Sequence, residues 1–344
     1  MVNRGRFNLF AAVSEQAPQY SKTAIELVEA SMVIDMLGLI TLDFPKLYGW
    51  HRNPASFTHA EFEKVRASGI DVFHPAVGFN SGDIHAQSLA DLQGWNRLVS
   101  AHPDYFLRVN GPADLAHVYG SGKIGILFGQ QNSAHFRNVD DVDLFYGMGQ
   151  RVSQLTYYRN RLGGASTDSK DSGLTQFGGE VLGRMNKLGM AVDVSHCGDR
   201  TTLDAIAASA KPVLVTHSNC RILVPGSARC KTDEAIKKLS LKGGVIGLTM
   251  IRFFVGTSHT VTMDQVLDHV DHVAKIAGIE HVGLGTDRDL DGFDVRADLD
   301  GVQYSKKIFD FTEGLLRRKY SPQDISLILG KNFARVLDEI FTVS

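Results

Sequence analysis

The stretch AVDVSH at residues 191–196 is a short apolar run that ends in a histidine. The pattern returns as PVLVTH at residues 212–217, so that its histidine follows the first one by 21 positions. Between the two runs, residues 200–210 have the apolar spacing of a helix. A buried strand, a helix and a second buried strand form a βαβ unit, in which both strands end at the same edge of a parallel sheet. The stretch therefore predicts a sheet that brings the two histidines to one edge.

Eight such apolar segments recur along the chain, and helical patterns separate almost all of them. The predicted strands span residues 32–35, 70–73, 123–128, 152–157, 191–196, 212–217, 244–250 and 281–285. The predicted helices span residues 22–30, 58–67, 88–102, 140–148, 178–188, 200–210, 233–239 and 262–277, with two more at 306–319 and 322–342. Residues 43–54 and 160–172 are predicted as polar loops. Eight strands that alternate with helices are typical of a closed (β/α)8 barrel, or TIM barrel.

No linker, low-complexity tract or internal repeat divides the 344 residues. We therefore predict a single α/β domain over residues 1–344, a (β/α)8 barrel with an N-terminal extension and helix at 1–30 and extra C-terminal helices at 303–344. The alternative is an open doubly wound sheet, which the absence of a GxGxxG motif after the first strand disfavours.

The composition is that of an ordinary soluble protein, with 43% hydrophobic and 22% charged residues. A formal net charge of -2 gives no reason to expect nucleic acid or an anionic membrane as a partner. The chain has three cysteines, Cys197, Cys220 and Cys230. An odd number without CxxC spacing argues against a disulfide framework. The first 20 residues lack the apolar run of a secretory leader. We therefore expect a cytoplasmic protein whose partner is a small-molecule substrate.

Active sites of (β/α)8 barrels lie at the C-terminal ends of the strands, so the polar residues there are candidates for the site. One histidine at a strand end is more often a hydrogen-bonded core residue than a ligand. Two at equivalent ends, together with an aspartate, favour a Zn²⁺ site and hydrolytic chemistry. The polar residues at the predicted strand ends are Asp35, His74, Gln131, Tyr157, His196, His217 and Asp287.

Several longer motifs resemble those of a known family. They are GKI at 122–124, GLTQFG at 173–178, MNKLGM at 185–190, DVSH at 193–196, VTHS at 215–218, GLGTD at 283–287 and GKNFARV at 330–336. In this order and spacing they resemble the membrane dipeptidase (renal dipeptidase) family, the M19 metallopeptidases of the amidohydrolase-like barrels. The resemblance runs from about residue 33 to residue 336.

The resemblance implies specific roles for four residues. Active members of the family hold two zinc ions, and His196 and His217 match the two histidine ligands of the second ion. Asp287 matches an aspartate that binds the first ion and lies near the attacking water. Arg229 matches an arginine that holds the substrate carboxylate through a bidentate guanidinium fork. The alternative for Arg229 is an exposed surface arginine.

Departures from the family pattern affect the metal site. The His-x-Asp pair that ends the first strand in the family is here Leu37 and Leu39, and leucine binds no cation. The bridging glutamate is Gln131, which carries no charge. A histidine found in many members is Tyr157, although bacterial relatives also have tyrosine there. The acidic motif after the last strand is expanded to DRDLDG at 287–292.

The loss of carboxylates argues against two ions, because two divalent cations beside one aspartate would leave a large uncompensated charge. We therefore predict one zinc ion per chain, bound by His196, His217 and Asp287, with Gln131 or water as the fourth ligand. A metal-free pocket is the alternative. If Arg288 points inward, its guanidinium would replace the first ion.

The predicted function is a metal-dependent hydrolase of the dipeptidase family that acts on a dipeptide or a small carboxylate-bearing amide. Asp287 would act as general base, Tyr157 or His74 would stabilise the oxyanion, and Arg229 would bind the substrate carboxylate. Two alternatives stay open: a non-peptidase enzyme such as a lyase or isomerase on the same barrel, and a catalytically inactive homologue. Family members often form homodimers, so a homodimer is a further prediction, for which the C-terminal helices offer a surface.

Overall fold

A computed structural model describes residues 20–342 of the chain. Residues 1–19, which make up most of the predicted N-terminal extension, and residues 343–344 lie outside the described residues. Among residues 20–342, no helix is long and apolar enough to cross a membrane.

Parallel strands form the centre of the structure. In the described part of the chain they are β1 (Ile34–Asp35), β2 (Val72–Phe73), β3 (Phe106–Arg108), β4 (Ile124–Ile126), β5 (Gly129–Gln130), β6 (Val152–Gln154), β7 (Ala191–Asp193), β8 (Val215–Ser218), β9 (Ile246–Leu248) and β10 (Val282–Leu284). Their order is β3-β4-β2-β1-β10-β9-β8 in one sheet and β5-β6-β7 in the other.

The two sheets join into one closed barrel. The chain runs from β4 directly into β5, which links the sheets on one side. On the other side a parallel bridge pairs Asp193 with Leu214, just before β8, and the main-chain N–H of Leu214 donates to the carbonyl oxygen of Val192 at 2.9 Å. The predicted (β/α)8 barrel is therefore confirmed, with β4 and β5 together as its third strand.

One strand was not predicted. β3 pairs with β4 on the outside of the barrel, and only Phe106 of its three residues is buried while Arg108 is exposed. A run this short with one buried side chain gives no period that distinguishes a strand from a loop.

Helices surround the barrel. They are α1 (Lys22–Ala30), α2 (Phe44–Arg52), α3 (His59–Arg66), α4 (Ile84–Ala101), α5 (Pro112–Val118), α6 (Asp140–Gly147), α7 (Gln176–Leu188), α8 (Asp199–Ala208), α9 (Asp233–Leu241), α10 (Arg252–Val255), α11 (Met263–Ala277), α12 (Lys307–Arg317), α13 (Pro322–Ser326) and α14 (Asn332–Phe341). The short helices α5 and α10 were not predicted.

The prediction of a polar loop at 43–54 was wrong, because α2 occupies most of it. The Asp43 carboxylate accepts a hydrogen bond from the main-chain N–H of Lys46 at 3.1 Å and so caps the helix. Leu47 and Trp50 are buried one turn apart and anchor the helix on the barrel. Pro45 and Gly49, which are typical of loops, concealed this spacing in the sequence.

The C-terminal prediction of one helix at 322–342 also needs correction. One turn of π-helix, Leu327–Lys331, separates α13 from α14. Here the helix backbone packs directly on the barrel, because a Cβ at Gly330 would lie 2.1 Å from the carbonyl oxygen of Met32. Only glycine permits this approach, since any side chain would collide with main-chain atoms.

Thr175 caps α7, the helix that leads into β7. Its hydroxyl oxygen accepts a hydrogen bond from the main-chain N–H of Gly178 at 3.0 Å, and its hydroxyl donates to the carbonyl oxygen of Arg161 at 2.7 Å. We expect Thr175→Ala to lower the free energy of unfolding by about 1 kcal/mol, because a helix N–H loses its partner. Urea denaturation measures the change. Thr175→Ser keeps the hydroxyl and should lose less, so equal losses in the two variants would contradict the capping role.

Candidate active site

Two histidines face each other at the C-terminal ends of neighbouring strands. His196 follows β7 and His217 lies within β8, and their Nε2 atoms are 3.0 Å apart. Both side chains are buried, with exposed fractions of 8% and 0%. Burial and the nearby charge of Arg229 lower the pKa of both imidazoles well below the ordinary value. The two rings are therefore neutral at physiological pH, which is the form that binds a metal ion.

Asp193 positions the histidine pair through hydrogen bonds to the residues that precede the two histidines. Its carboxylate accepts hydrogen bonds from the N–H groups of Ser195 and Thr216, both at 3.0 Å, and from their hydroxyls at 2.6 and 2.7 Å. Because the Thr216 hydroxyl hydrogen is directed at Asp193, the Thr216 oxygen accepts from Nδ1–H of His217 at 2.8 Å. This chain of hydrogen bonds leaves the lone pair of His217 on Nε2, directed at His196.

The histidine pair fits one ion. The two Nε2 atoms are 3.0 Å apart, so both could ligate the same ion, and neutral imidazole nitrogen is an ordinary ligand of zinc. Among residues 20–342, no three His, Cys, Asp or Glu side chains lie close enough together to ligate one ion. Asp287 therefore does not join the pair as a third ligand in this arrangement.

A cavity of about 350 Å³ opens beside the pair. Its walls come from the segments 39–48 and 75–79 and from Trp95, while Gln131, Tyr157 and Asp287 contribute polar groups. Three of the predicted site residues thus line this cavity. His196 and His217 are not part of the lining, but Tyr157, which is, contacts His196.

Tyr157 connects the cavity to the histidine pair. Its ring stacks on the imidazole of His196 with centroids 4.0 Å apart and an interplanar angle of 22°. Burial and the nearby Asp287 carboxylate raise the pKa of the phenol. Tyr157 therefore keeps its proton and can donate a hydrogen bond. Gln131, which follows β5, is oriented by a hydrogen bond of 2.9 Å from its side-chain amide to the carbonyl oxygen of Ala76.

Asp287 has an unusual backbone conformation. Its φ of 57° lies in the left-handed region, which costs a residue with a Cβ roughly 1 kcal/mol or more. Its main-chain N–H donates to the carbonyl oxygen of Leu37 at 2.9 Å, which helps to hold that conformation. Removal from water raises the pKa of the carboxyl to about 7, although the charges of Arg229 and Arg288 act in the opposite direction.

Arg229 is buried, so the alternative of an exposed surface arginine is wrong. Only 7% of the residue is exposed. Its Nη1 donates to the carbonyl oxygen of Ser195 and its Nη2 to that of His217, both at 2.7 Å. Nε has no hydrogen-bond partner among the described residues. The guanidinium therefore holds the ends of β7 and β8 together and keeps one donor unused.

His74 lies below the cavity rather than in its lining. Its Nδ1 is 2.6 Å from the carbonyl oxygen of Met36, and its Nε2 is buried without a hydrogen-bond partner in the described part of the chain. The ring is backed by Gly129, where a Cβ would lie 2.0 Å from Nε2. An acid–base role for His74 stays a prediction.

Two other carboxylates that could have reached the site are engaged elsewhere. Asp35 accepts hydrogen bonds from the N–H and the hydroxyl of Thr286 at 2.8 and 2.5 Å. Asp289 accepts one from the main-chain N–H of Leu42 at 3.2 Å. Neither side chain lines the cavity.

Arg288 does not replace a metal ion at the histidine pair. Its side chain is fully buried, forms an ion pair with Asp298 and lies over the ring of Tyr304 at 4.5 Å. Its positive charge acts on the site by lowering the pKa of the Asp287 carboxyl.

Comparison with known proteins decides the family. A model of the family described as membrane dipeptidase (peptidase family M19) matches residues 22–344. The chain belongs to this family. Dipeptidase verJ of Clonostachys rogersoniana is 32% identical over 251 residues, which cover 72% of this chain. Dipeptidase tcpJ of Claviceps purpurea is 28% identical over 273 residues, or 77% of this chain.

The matched region spans 63% of the length of each of these two dipeptidases. The crystal structure of an amidohydrolase from Pseudomonas aeruginosa has the same fold, with a TM-score of 0.80 and 26% identity. That similarity covers 92% of this chain and 99% of the other. The predicted family is therefore confirmed from both sequence and fold.

This member of the membrane dipeptidase family has apolar side chains where the family pattern has its first pair of ligands. Leu37 is fully buried, and Leu39 lines the cavity with 7% of its surface exposed. Sequence reasoning also missed the rest of the cavity lining, which includes residues 40–42 and 75–79, Tyr48 on α2 and Trp95 on α4. The cap at Asp43 and the spacing of Leu47 and Trp50 were the available signal for α2.

Asp91 on α4 predicts a pH dependence of stability. It lies in a second cavity of about 360 Å³ that shares Tyr48 and Phe79 with the first. One carboxyl oxygen accepts from the side-chain amide of Gln130 at 3.0 Å, and burial raises the pKa of Asp91 to about 7. The folded state therefore binds this proton more tightly than the unfolded state, so its contribution to stability is present below about pH 4 and is lost as the pH rises to about 7.

We expect Asp91→Asn to remove this loss. Relative to the parent protein, the variant should gain up to about 4 kcal/mol between pH 4 and pH 8, since one pKa unit corresponds to ~1.4 kcal/mol. Urea denaturation at several pH values measures the difference. Asp104→Asn is the matched control, because Asp104 is exposed. A parallel pH profile for Asp91→Asn and the parent would contradict the raised pKa.

Proposed function

We propose that the protein is a zinc-dependent hydrolase of the dipeptidase type that uses one metal ion and cleaves a dipeptide or a small carboxylate-bearing amide. The observation that carries the proposal is the pair of neutral imidazoles, His196 and His217, whose Nε2 atoms are 3.0 Å apart. The hydrogen-bond chain from Asp193 through Thr216 favours this use, because it fixes the tautomer of His217 that a metal requires.

We propose His196 and His217 as the two nitrogen ligands of the ion, with Gln131 or water completing the coordination, since Asp287 is not close enough to be a third ligand in this arrangement. Bound zinc supplies Lewis acidity at this position. One ion suits the charge of the site, since Asp287 is the single carboxylate among the polar cavity residues Gln131, Tyr157 and Asp287.

The chain's own groups provide proton transfer and orientation. Asp287 accepts a proton as general base, and a pKa of about 7 suits that role at neutral pH. Tyr157 remains protonated and donates a hydrogen bond to the oxygen that gains negative charge. Arg229 binds the substrate carboxylate through Nε, its one guanidinium nitrogen without a partner in the described part of the chain.

The test combines metal analysis of chelator-free protein with a dipeptide-hydrolysis assay in the presence of added Zn²⁺. We expect about one zinc per chain, since the site has room for one four-coordinate ion. Zero zinc and no hydrolysis would contradict the proposal. Turnover of small carboxylates without hydrolysis would then identify a lyase or isomerase, and no turnover would identify an inactive homologue.

We also propose a cytoplasmic homodimer. The three cysteines, Cys197, Cys220 and Cys230, are buried free thiols, which suits a reducing compartment. Sedimentation velocity distinguishes the dimer from a monomer, and a monomer at micromolar concentration would contradict the assembly.

A further inference from the structure

The cavity beside the histidine pair is apolar on most of its surface. Its apolar lining includes Leu39, Ile40, Leu42, Pro75 and Val77. Trp95 from α4 also lines the cavity, and only 3% of this residue is exposed. An apolar cavity with a few polar groups at one place is the usual form of a site for a small organic ligand.

The polar groups of the walls are used within the protein. Thr41 accepts a hydrogen bond from the main-chain N–H of Asp43 at 3.1 Å. Burial and the nearby Asp91 carboxylate raise the pKa of the Tyr48 phenol, so this residue keeps its proton. Gln131, Tyr157 and Asp287 form the main polar region of the cavity. The cavity therefore has one polar side, next to His196, and an apolar remainder.

We propose that this cavity is a subsite for a bulky apolar side chain or acyl group of the substrate, with the scissile amide at Asp287 and Tyr157. The substrate class is then a dipeptide or amide that carries an aromatic or branched aliphatic group beside the bond to be cleaved. This assignment rests on the proposed hydrolase function. It follows from the walls, the volume of about 350 Å³ and the position of the polar groups.

Leu39 is central to the inference because it determines the character of the cavity. A metal-binding aspartate at this position would place a charge against the apolar walls, whereas leucine extends them. Leu39 therefore replaces a metal ligand of the family pattern and at the same time provides a surface for an apolar group. Phe44 extends that surface to the entrance, where 41% of the residue is exposed.

The experiment measures binding of linear primary amides, from propanamide to heptanamide, to the purified full chain by isothermal titration calorimetry. We expect affinity to rise about fourfold for each added methylene, since burial of one CH₂ contributes ~0.8 kcal/mol. Leu39→Ser should reduce this rise, and Phe44→Ala, at an exposed position that tolerates substitution, should weaken binding of the longest amides. Leu144→Ser is the matched control, because Leu144 is 44% exposed on α6 and does not line the cavity.

Dipeptide kinetics form the second arm. We expect kcat/KM for dipeptides that carry leucine or phenylalanine to exceed that for diglycine by about 10- to 100-fold, which corresponds to burial of one such side chain. An affinity that does not depend on amide length would overturn the subsite, and so would a length dependence in both Leu39→Ser and Phe44→Ala that is the same as in the parent protein. Length-dependent binding without any dipeptide hydrolysis would keep the subsite and overturn the hydrolase, so the two proposals fail separately.

Discussion

We expect His217→Ala to abolish the proposed zinc binding and to lower the proposed dipeptide hydrolysis by more than about 100-fold, since even loss of a group that only orients a ligand costs 10- to 100-fold. The reason is geometric. His217 supplies the nitrogen whose lone pair is directed at His196 across 3.0 Å, and one remaining imidazole does not hold the ion. Metal analysis after dialysis and steady-state kinetics at saturating zinc measure the two effects.

Two further variants make this prediction specific. His196→Ala should have the same effect, and the double variant should be no worse than either single variant, because the histidines act as one unit. His117→Ala is the control, since His117 is exposed on α5 and should leave zinc content and turnover unchanged. Full zinc content in His217→Ala would contradict a metal site at this pair.

Replacing Asp193 by alanine lowers the free energy of unfolding by about 4 kcal/mol. Its carboxylate accepts four hydrogen bonds from Ser195 and Thr216, and its removal would leave the two main-chain N–H groups buried without this partner. The two hydroxyls are 3.1 Å apart and could then bond each other. The bridge from Asp193 to Leu214 also closes the barrel between β7 and β8. Urea denaturation followed by circular dichroism measures the loss.

Asp193→Asn separates the contributions. The amide keeps one acceptor oxygen but brings an N–H₂ group against hydroxyls that now act as donors, so we expect a smaller loss than for alanine. Asp104→Ala, at an exposed position, should change stability by less than about 0.5 kcal/mol. A loss below about 1 kcal/mol in Asp193→Ala would show that the carboxylate does not support the barrel.

The barrel could be predicted because its strands are buried on both faces and are therefore continuous apolar runs in the sequence. The histidine pair could be predicted for the same reason, since His196 and His217 end two such runs. The π-helical turn at Gly330 could not, because it depends on the close approach of Met32, 298 positions earlier in the chain.

The cavity was beyond sequence reasoning for a related reason. Its walls come from α2 and from residues 75–79 and Trp95, which packing brings together from separate parts of the chain. The position of Asp287 depends on its φ of 57°, and the neighbouring sequence does not predict this left-handed conformation for an aspartate. The residues of the hydrogen-bond chain from Asp193 through Thr216 to His217 belong to the sequence motifs, but only the distances in the structure show that they bond to one another.

Asp35 with Thr286 repeats, on the opposite side of the barrel, the arrangement of Asp193 with Thr216. In both cases a carboxylate at a strand end receives the N–H and the hydroxyl of a threonine on the adjacent strand. The first arrangement is present although Leu37 and Leu39 stand where the family pattern has its metal ligands. The same carboxylate–threonine arrangement thus supports one strand end that carries histidines and one that carries leucines, so ligands at such a position could be exchanged on a backbone that is already held in place.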